Sequence, residues 1–250
     1  MRTIQINPKY ETLRQWITSI PDRFETEGIE VYHLHNLIKT FEAPQGLTIN
    51  VKRYHKPALP NRLIYSTGIR TPKGLRAYLY PKRLLACGIE TPEPVAYIEE
   101  RQHGILGYSY FMSIHCSYPH TMYELGNAEA GTYEEIAVAL AHYAANMHKQ
   151  DILHKDFTPG NVLWKRDGEL FHFSIVDINR MYFGPVSFER GLRNLIKFWG
   201  PKDFVRIIIN TYAQDRGADP AEAEKKALTW RRQFWSHYLK HHQVPFNVEL

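Results

Sequence analysis

The sequence predicts an α+β protein in two lobes, a small antiparallel-sheet lobe followed by a helical one. Five short runs with strand-like alternation fall between residues 29 and 115, whereas beyond Thr132 the apolar residues recur at three- and four-residue steps. Length agrees: 250 residues at 44% hydrophobic content can bury a full core, as one large domain or as two lobes of about 100 residues each. The expected division is a helical extension over 1–28, a small lobe with five strands and one helix over 29–114, and a helical lobe over 115–250.

The first expected element is a short amphipathic helix from Lys9 to Ile20, with Leu13, Trp16, Ile17 and Ile20 on one side and Pro21 closing it. Ile29–His33, Leu37–Glu42 and Leu47–Tyr54 follow as strands, the last two joined by the Pro44-Gln45-Gly46 turn. In the third strand Leu47, Ile49 and Val51 share one face, so Lys52 points from the other. Thr71-Pro72 starts a helix that Gly88 stops, with Pro81 expected to kink or divide it. Val95–Ile98 and Tyr108–His115 form a hairpin, and His115 to Pro119 reads as a hinge.

The strongest helical stripe runs from Tyr133 through Ile136, Leu140, Ala144 and Met147 to His148. Val162–Trp164 and Leu170–Val176 are strands around a Lys165–Gly168 turn, which brings Asp177 back beside Asn161. Helical patterns cover Phe188–Trp199, Asp203–Tyr212 and Ala221–His237.

Composition narrows the function classes. The net charge of +5, from 31 Lys and Arg against 26 Asp and Glu, permits an anionic partner without requiring one, and no nucleic acid is expected. Cys87 and Cys116 cannot staple a disulfide framework, so a reduced, cytoplasmic setting is the expectation. Met1 to Pro8 lacks an apolar signal-peptide core, and the uncharged run from Gly104 to Tyr123 is broken by Gly107, Ser113 and Pro119. His115, Cys116 and His120 have no second pair at zinc-ligand spacing.

The chemistry concentrates in His154-Lys155-Asp156-Phe157-Thr158-Pro159-Gly160-Asn161 and in Asp177, one hairpin further on. A phosphoryl-transfer loop needs a carboxylate for the acceptor hydroxyl proton, a carboxamide five residues later for a metal, and a second carboxylate after the next hairpin. Asp156, Asn161 and Asp177 have that spacing, and Lys52 lies upstream on a third strand. His154 reads as a brace for the loop. Arg190, Arg193 and Lys197 fall on one face of the following helix, a solvated face or a receptor for an anionic headgroup at a membrane surface.

These residues resemble the protein-kinase-like superfamily. Over about residues 8 to 240 the chain resembles more narrowly the lipopolysaccharide kinases, which phosphorylate Kdo or heptose of the inner core. The narrower likeness is carried by Val51-Lys52-Arg53-Tyr54, by Leu84-Leu85 with Gly88-Ile89, by Thr91 through Glu99, and by Val176-Asp177-Ile178-Asn179-Arg180-Met181. It implies a two-lobe kinase fold using ATP and Mg²⁺. Asp156 would be the general base, Lys52 the ATP contact, and Asn161 and Asp177 the metal ligands. The implied partner is a lipopolysaccharide core or other glycolipid acceptor, reached with peripheral contact to the inner membrane.

Three departures stand against that pattern. His33-Leu34-His35-Asn36 contains no glycine for a phosphate loop. No Asp or Glu occurs between Arg53 and Cys87, so Leu79 stands where relatives carry the helix Glu that holds the lysine, and Glu42 or Glu99 would have to substitute. Lys155 replaces the Arg of loop-phosphorylated kinases. The alternatives are a kinase for another small hydroxylated molecule and a pseudokinase that binds without transferring phosphate.

Overall fold

A computed structural model describes residues 1–33, 36–246 and 248–250. The chain divides into two compact units, Met1–Ser117 and Tyr118–Leu250. The glycine-free connection through Leu34 and His35 lies outside the described residues.

Among the described residues, the first unit is built on six antiparallel strands. These are β1 (Arg2–Ile6), β2 (Ile29–His33), β3 (Leu37–Ala43), β4 (Leu47–Tyr54), β5 (Pro94–Gln102) and β6 (Ile105–Ile114), in the order β1-β5-β6-β4-β3-β2. The expected five strands are thus corrected to six. Arg2–Ile6, too short for a readable alternation, pairs with β5 from Arg2↔Glu100 to Ile6↔Ala96.

Nor are residues 1–28 an appendage. Tyr10 and Leu13, with Ile17 and Ile20 of α1 (Arg14–Arg23) and Phe24 beyond it, are buried in one core with Phe41, Ile49, Val51, Ile98 and Met112. α1 runs through Pro21 rather than stopping there, because a proline removes one donor but leaves the φ of a helix intact. Its exit is held by Lys39 of β3, a buried ammonium donating to the carbonyls of Phe24 at 2.7 Å and Glu27 at 2.9 Å.

The opposite sheet face carries α3 (Lys73–Ala86), packed on β5 and β6, with Gly74, Ala77, Pro81 and Leu84 as its buried stripe. A Cβ on Gly74 would stand 2.7 Å from the Tyr97 ring, so glycine allows the close approach of helix to sheet. Pro81 does not divide α3, because its ring is buried on that same stripe. One further helix, α2 (Leu59–Ser66), packs on β6.

In the second unit α4 (Glu134–Lys149) packs on α6 (Lys202–Asp215), and α6 on α7 (Pro220–Tyr238). Around α4 lie β7 (His120–Thr121), β8 (Ile152–His154), β9 (Val162–Asp167), β10 (Leu170–Ile175), β11 (Met181–Phe183) and the short α5 (Phe188–Leu195). β9 and β10 pair from Val162↔Ile175 to Asp167↔Leu170, with β7 on the outer edge of β9, and β8 pairs with β11.

Candidate active site

The loop after β8 is organised by one imidazole. His154 is fully buried, and its Nδ1 accepts from the Asp156 amide at 3.1 Å. That places the ring proton on Nε2, which donates to the Val176 carbonyl at 2.9 Å. Burial pushes the His154 pKa down, opposed by the Val176 bond and by the charges of Asp177 and Asp156. The ring is therefore a neutral brace between the loop backbone and the segment leading into Asp177, the structural role its position in the sequence implied.

The hairpin closes the other side. Ile175 lies opposite Val162, and the Val176 amide donates to the Asn161 carbonyl at 3.0 Å, so Asp177 emerges next to Asn161. Asn161 Nδ2 donates to the Asp156 carbonyl at 2.9 Å, which turns its amide oxygen to the other side. Asp177 adopts φ 54°, ψ 40°, a left-handed conformation uncommon for a residue other than glycine and frequent at functional positions. Asn179 Nδ2 donates to Asp177 Oδ1 at 2.6 Å and fixes the carboxylate rotamer. The second unit thus gathers Asp156, Asn161 and Asp177 about His154.

Two cations attend Asp156. Arg180 Nη1 lies 2.9 Å from Asp156 Oδ2. Lys197 is half-buried and donates to the Lys155 carbonyl at 2.8 Å; burial pushes its pKa down, while Asp156 pulls it up and Arg180 again lowers it. Its reach is set from α7: the fully buried Arg231 donates to the carbonyls of Ile196 and Phe198, and Trp235 Nε1 to Ile196 at 3.1 Å. The carbonyls on both sides of Lys197 are thereby anchored. Asn194, also buried, donates to the His154 carbonyl at 3.0 Å and faces His148 Nε2 through its Oδ1 at 3.3 Å.

The single basic face expected from Arg190, Arg193 and Lys197 is not formed. α5 ends at Leu195, Arg190 stacks on Tyr182 at 3.6 Å, Arg193 stacks on Trp230 at 3.7 Å, and Lys197 turns to the loop. An exposed aromatic borders the loop instead. Tyr123 is 43% exposed, would meet a Cβ on Gly160 at 4.0 Å, and packs edge-on against Trp199 at 4.9 Å.

Lys52 belongs to the first unit. On β4 it pairs with Ile38 and Phe111, opposite in facing to the buried Ile49 and Val51, and its ammonium lies 5.3 Å from the Tyr54 ring. Both acids offered as substitutes for the helix Glu are engaged by other groups. Glu42 accepts from Thr48 at 3.0 Å, and the buried Glu99 accepts from Tyr97 at 2.6 Å and from Arg101 at 2.5 Å.

The donor set suits a small hard cation. Asn161 and Asp177 offer oxygens only, and one or two protein carboxylates are what Mg²⁺ takes when phosphate and water complete its shell. Among the described residues no three His, Cys, Asp or Glu side chains gather as a softer metal group.

No family profile matches the chain, and no curated protein matches its sequence. Solved structures do. WaaP, in complex with acyl carrier protein, aligns with 94% of this chain and 98% of its own at a TM-score of 0.61 and 15% identity. Amicoumacin kinase hAmiN, bound to AMP-PNP, Ca²⁺ and Ami, aligns with 95% of this chain and 96% of its own at 0.55 and 9%. The Rio2 kinase of Chaetomium thermophilum, in an ADP/Mg²⁺-phosphoaspartate complex, aligns with 93% and 78% at 0.51 and 15%. The fold is protein-kinase-like. The loop spacing and the strand-then-helix order had implied that fold. The contacts of Arg180, Asn194 and Lys197 with the loop had no such signal, since each reaches it through tertiary packing, whereas Asn179 lies only two residues from the carboxylate it holds.

Proposed function

We propose that this protein is an ATP-dependent phosphotransferase whose acceptor is a sugar hydroxyl of a lipopolysaccharide inner core, Kdo or heptose. The observation that carries the reading is the His154 brace, which ties the Asp156 amide to the Val176 carbonyl and so links the loop that carries Asp156 and Asn161 to the segment that leads into Asp177. Support for the substrate class comes from the resemblance of the sequence to the lipopolysaccharide kinases and from the Tyr123 face beside the loop, which suits a sugar ring.

In this reading Asp156 accepts the proton of the acceptor hydroxyl as its oxygen bonds to the γ-phosphorus of ATP and the bond from that phosphorus to the β–γ bridging oxygen breaks, releasing ADP; the base role contributes ~10²- to 10⁴-fold. Arg180 holds the carboxylate toward the acceptor, and Lys197 adds positive charge beside it. Asn161 and Asp177 would hold Mg²⁺, and Lys52 would contact the ATP phosphates. Mg·ATP supplies the phosphoryl group and neutralises its charge. The membrane-bound acceptor implies peripheral contact of a cytoplasmic protein with the inner membrane.

The test is mass spectrometry of lipopolysaccharide from cells lacking the gene, complemented with native or Asp156→Ala protein. Native protein should restore a species heavier by one phosphate. Absence of any such species refutes the sugar acceptor, and full restoration by Asp156→Ala refutes the base assignment. A pseudokinase is the second reading, favoured by α3: it carries no acid, and Leu79 is 49% exposed where the pattern places Glu. That reading requires nucleotide binding with no phosphate transferred to any hydroxyl acceptor.

A further inference from the structure

Seven of the 31 Lys and Arg, and none of the 26 Asp and Glu, lie between residues 54 and 87; the other 216 residues hold 24 basic against 26 acidic side chains. The positive excess of the whole chain is concentrated in the stretch that forms α2, the turn after it and α3.

α2 is attached to the sheet largely by polar groups. Arg62 Nε donates to the Leu106 carbonyl at 2.5 Å, the Leu106 amide donates to Ser66 Oγ at 2.9 Å, and Arg101 Nη1 donates to the Ser66 carbonyl at 2.9 Å. Tyr65 is its one buried side chain. The aliphatic side chains point outward: Leu59 is 71% exposed, Leu63 54%, Ile64 38%, and Ile69 in the turn 80%. Leu59 and Leu63 are one helical turn apart on the same stripe. A surface helix ordinarily turns such residues to the core. Single exposed aliphatics need no explanation, but four within eleven residues, flanked by Lys56, Arg70 and Lys73, form a patch.

The chemistry of the patch selects its occupant. A neutral partner would leave the cations unanswered, and Leu59, Leu63 and Ile69 protrude outside the neighbouring cavity that Lys56, Asn61, Tyr65 and Lys73 help to line. An anionic bilayer answers both features, since headgroup phosphates attract Lys and Arg while the acyl boundary takes Leu and Ile. At about 12 Å, an eight-residue helix is too short to cross a bilayer and suits its surface. We propose that α2 and the turn through Ile69 dock on an anionic lipid surface, Leu59, Leu63 and Ile69 entering the headgroup boundary and Lys56, Arg70 and Lys73 meeting phosphates. The docking extends the proposed glycolipid chemistry but rests on neither its nucleotide nor its acceptor.

The test is sedimentation of the full chain with phosphatidylcholine vesicles, with and without phosphatidylglycerol. The native protein should bind the anionic vesicles only. Leu63→Gln with Ile69→Gln should lower the partition about tenfold, and Lys56→Gln with Arg70→Gln should lower it similarly and flatten its salt dependence. All four positions are exposed, so the melting temperature should hold. Failure of the native protein to bind anionic vesicles overturns the proposal, as does full retention of binding by both variants. Binding to an acidic protein such as acyl carrier protein in place of vesicles also overturns it, assigning the patch to a protein partner. A Mg·ATP melting shift on the same samples separates the two readings, because lost lipid binding with an intact nucleotide response refutes the docking alone.

Discussion

Arg180 pairs with Asp156: its Nη1 lies 2.9 Å from the Asp156 Oδ2, joining the residue after Asn179 to the loop 24 positions earlier. Because Arg180 is 56% exposed, the pair contributes little to stability, about 1 kcal/mol or less. Its effect should fall on the orientation of the carboxylate instead. Arg180→Ala is expected to lower kcat by ~10²-fold with a near-unchanged melting temperature, and Arg180→Lys to recover part of the loss, since misplacing a reacting group by ~1 Å costs about that factor. Steady-state kinetics with a hydroxyl acceptor, beside a thermal melt, reads both.

Mg·ATP should raise the melting temperature of the native protein, and Asp177→Ala should abolish that rise. Asn179→Ala, which removes the 2.6 Å bond to Asp177 Oδ1, should weaken that response without abolishing it. A Mg²⁺ titration at fixed ATP should show a higher apparent Kd for Asn179→Ala. An unchanged response in Asp177→Ala would remove that residue from the metal set.

His148 is buried under Asn194, its Nδ1 2.9 Å from the Tyr212 hydroxyl, and burial pushes its pKa down to about 4. The folded state keeps this ring neutral where the unfolded chain, titrating near 6.5, takes up a proton. Stability from this group is therefore complete above about pH 6.5 and is lost as pH falls toward 4, on the order of 3 kcal/mol in total. Urea unfolding at pH 7 and pH 5 should show a fall in midpoint that is smaller in His148→Gln.

Gly191 of α5 faces the same pair. An added Cβ would overlap the Tyr212 hydroxyl and lie 2.8 Å from His148 Nδ1, two buried rings hydrogen-bonded to each other that have no space to give way. Gly191→Ala should destabilise the second unit by about 2 kcal/mol, as overpacking of a filled core does. Gly160→Ala is the tolerant comparison, because its Cβ would meet Tyr123 only at ordinary contact distance, 4.0 Å. Urea midpoints of the two variants should differ accordingly.

Much of the architecture was legible because its signals are local. The stripe from Tyr133 to His148 became α4, and the turn at Lys165–Gly168 joined β9 to β10 with Ile175 opposite Val162, setting Asp177 beside Asn161. β1 was not legible, since Ile4 and Ile6 give only two apolar positions of an alternation, too few to mark a strand without the open edge that β5 offers. Pro21 and Pro81 misled for the converse reason: a local rule said break, and burial of the surrounding stripe held each helix through it.

The sequence by itself determined the candidate groups and their spacing: Asp156 and Asn161 on a loop, Asp177 at the far end of the hairpin that follows, and Lys52 on the non-core face of a strand. Spacing along a chain suffices there, because a tight loop and a two-residue alternation fix direction within a few bonds. Tertiary structure alone decided the company of those groups. Arg180 on Asp156, Lys197 on the Lys155 carbonyl and Asn194 on the His154 carbonyl bridge 24, 42 and 40 positions. A buried polar group must find a partner, but which one depends on what packing brings within about 3 Å, and no periodic pattern records that choice.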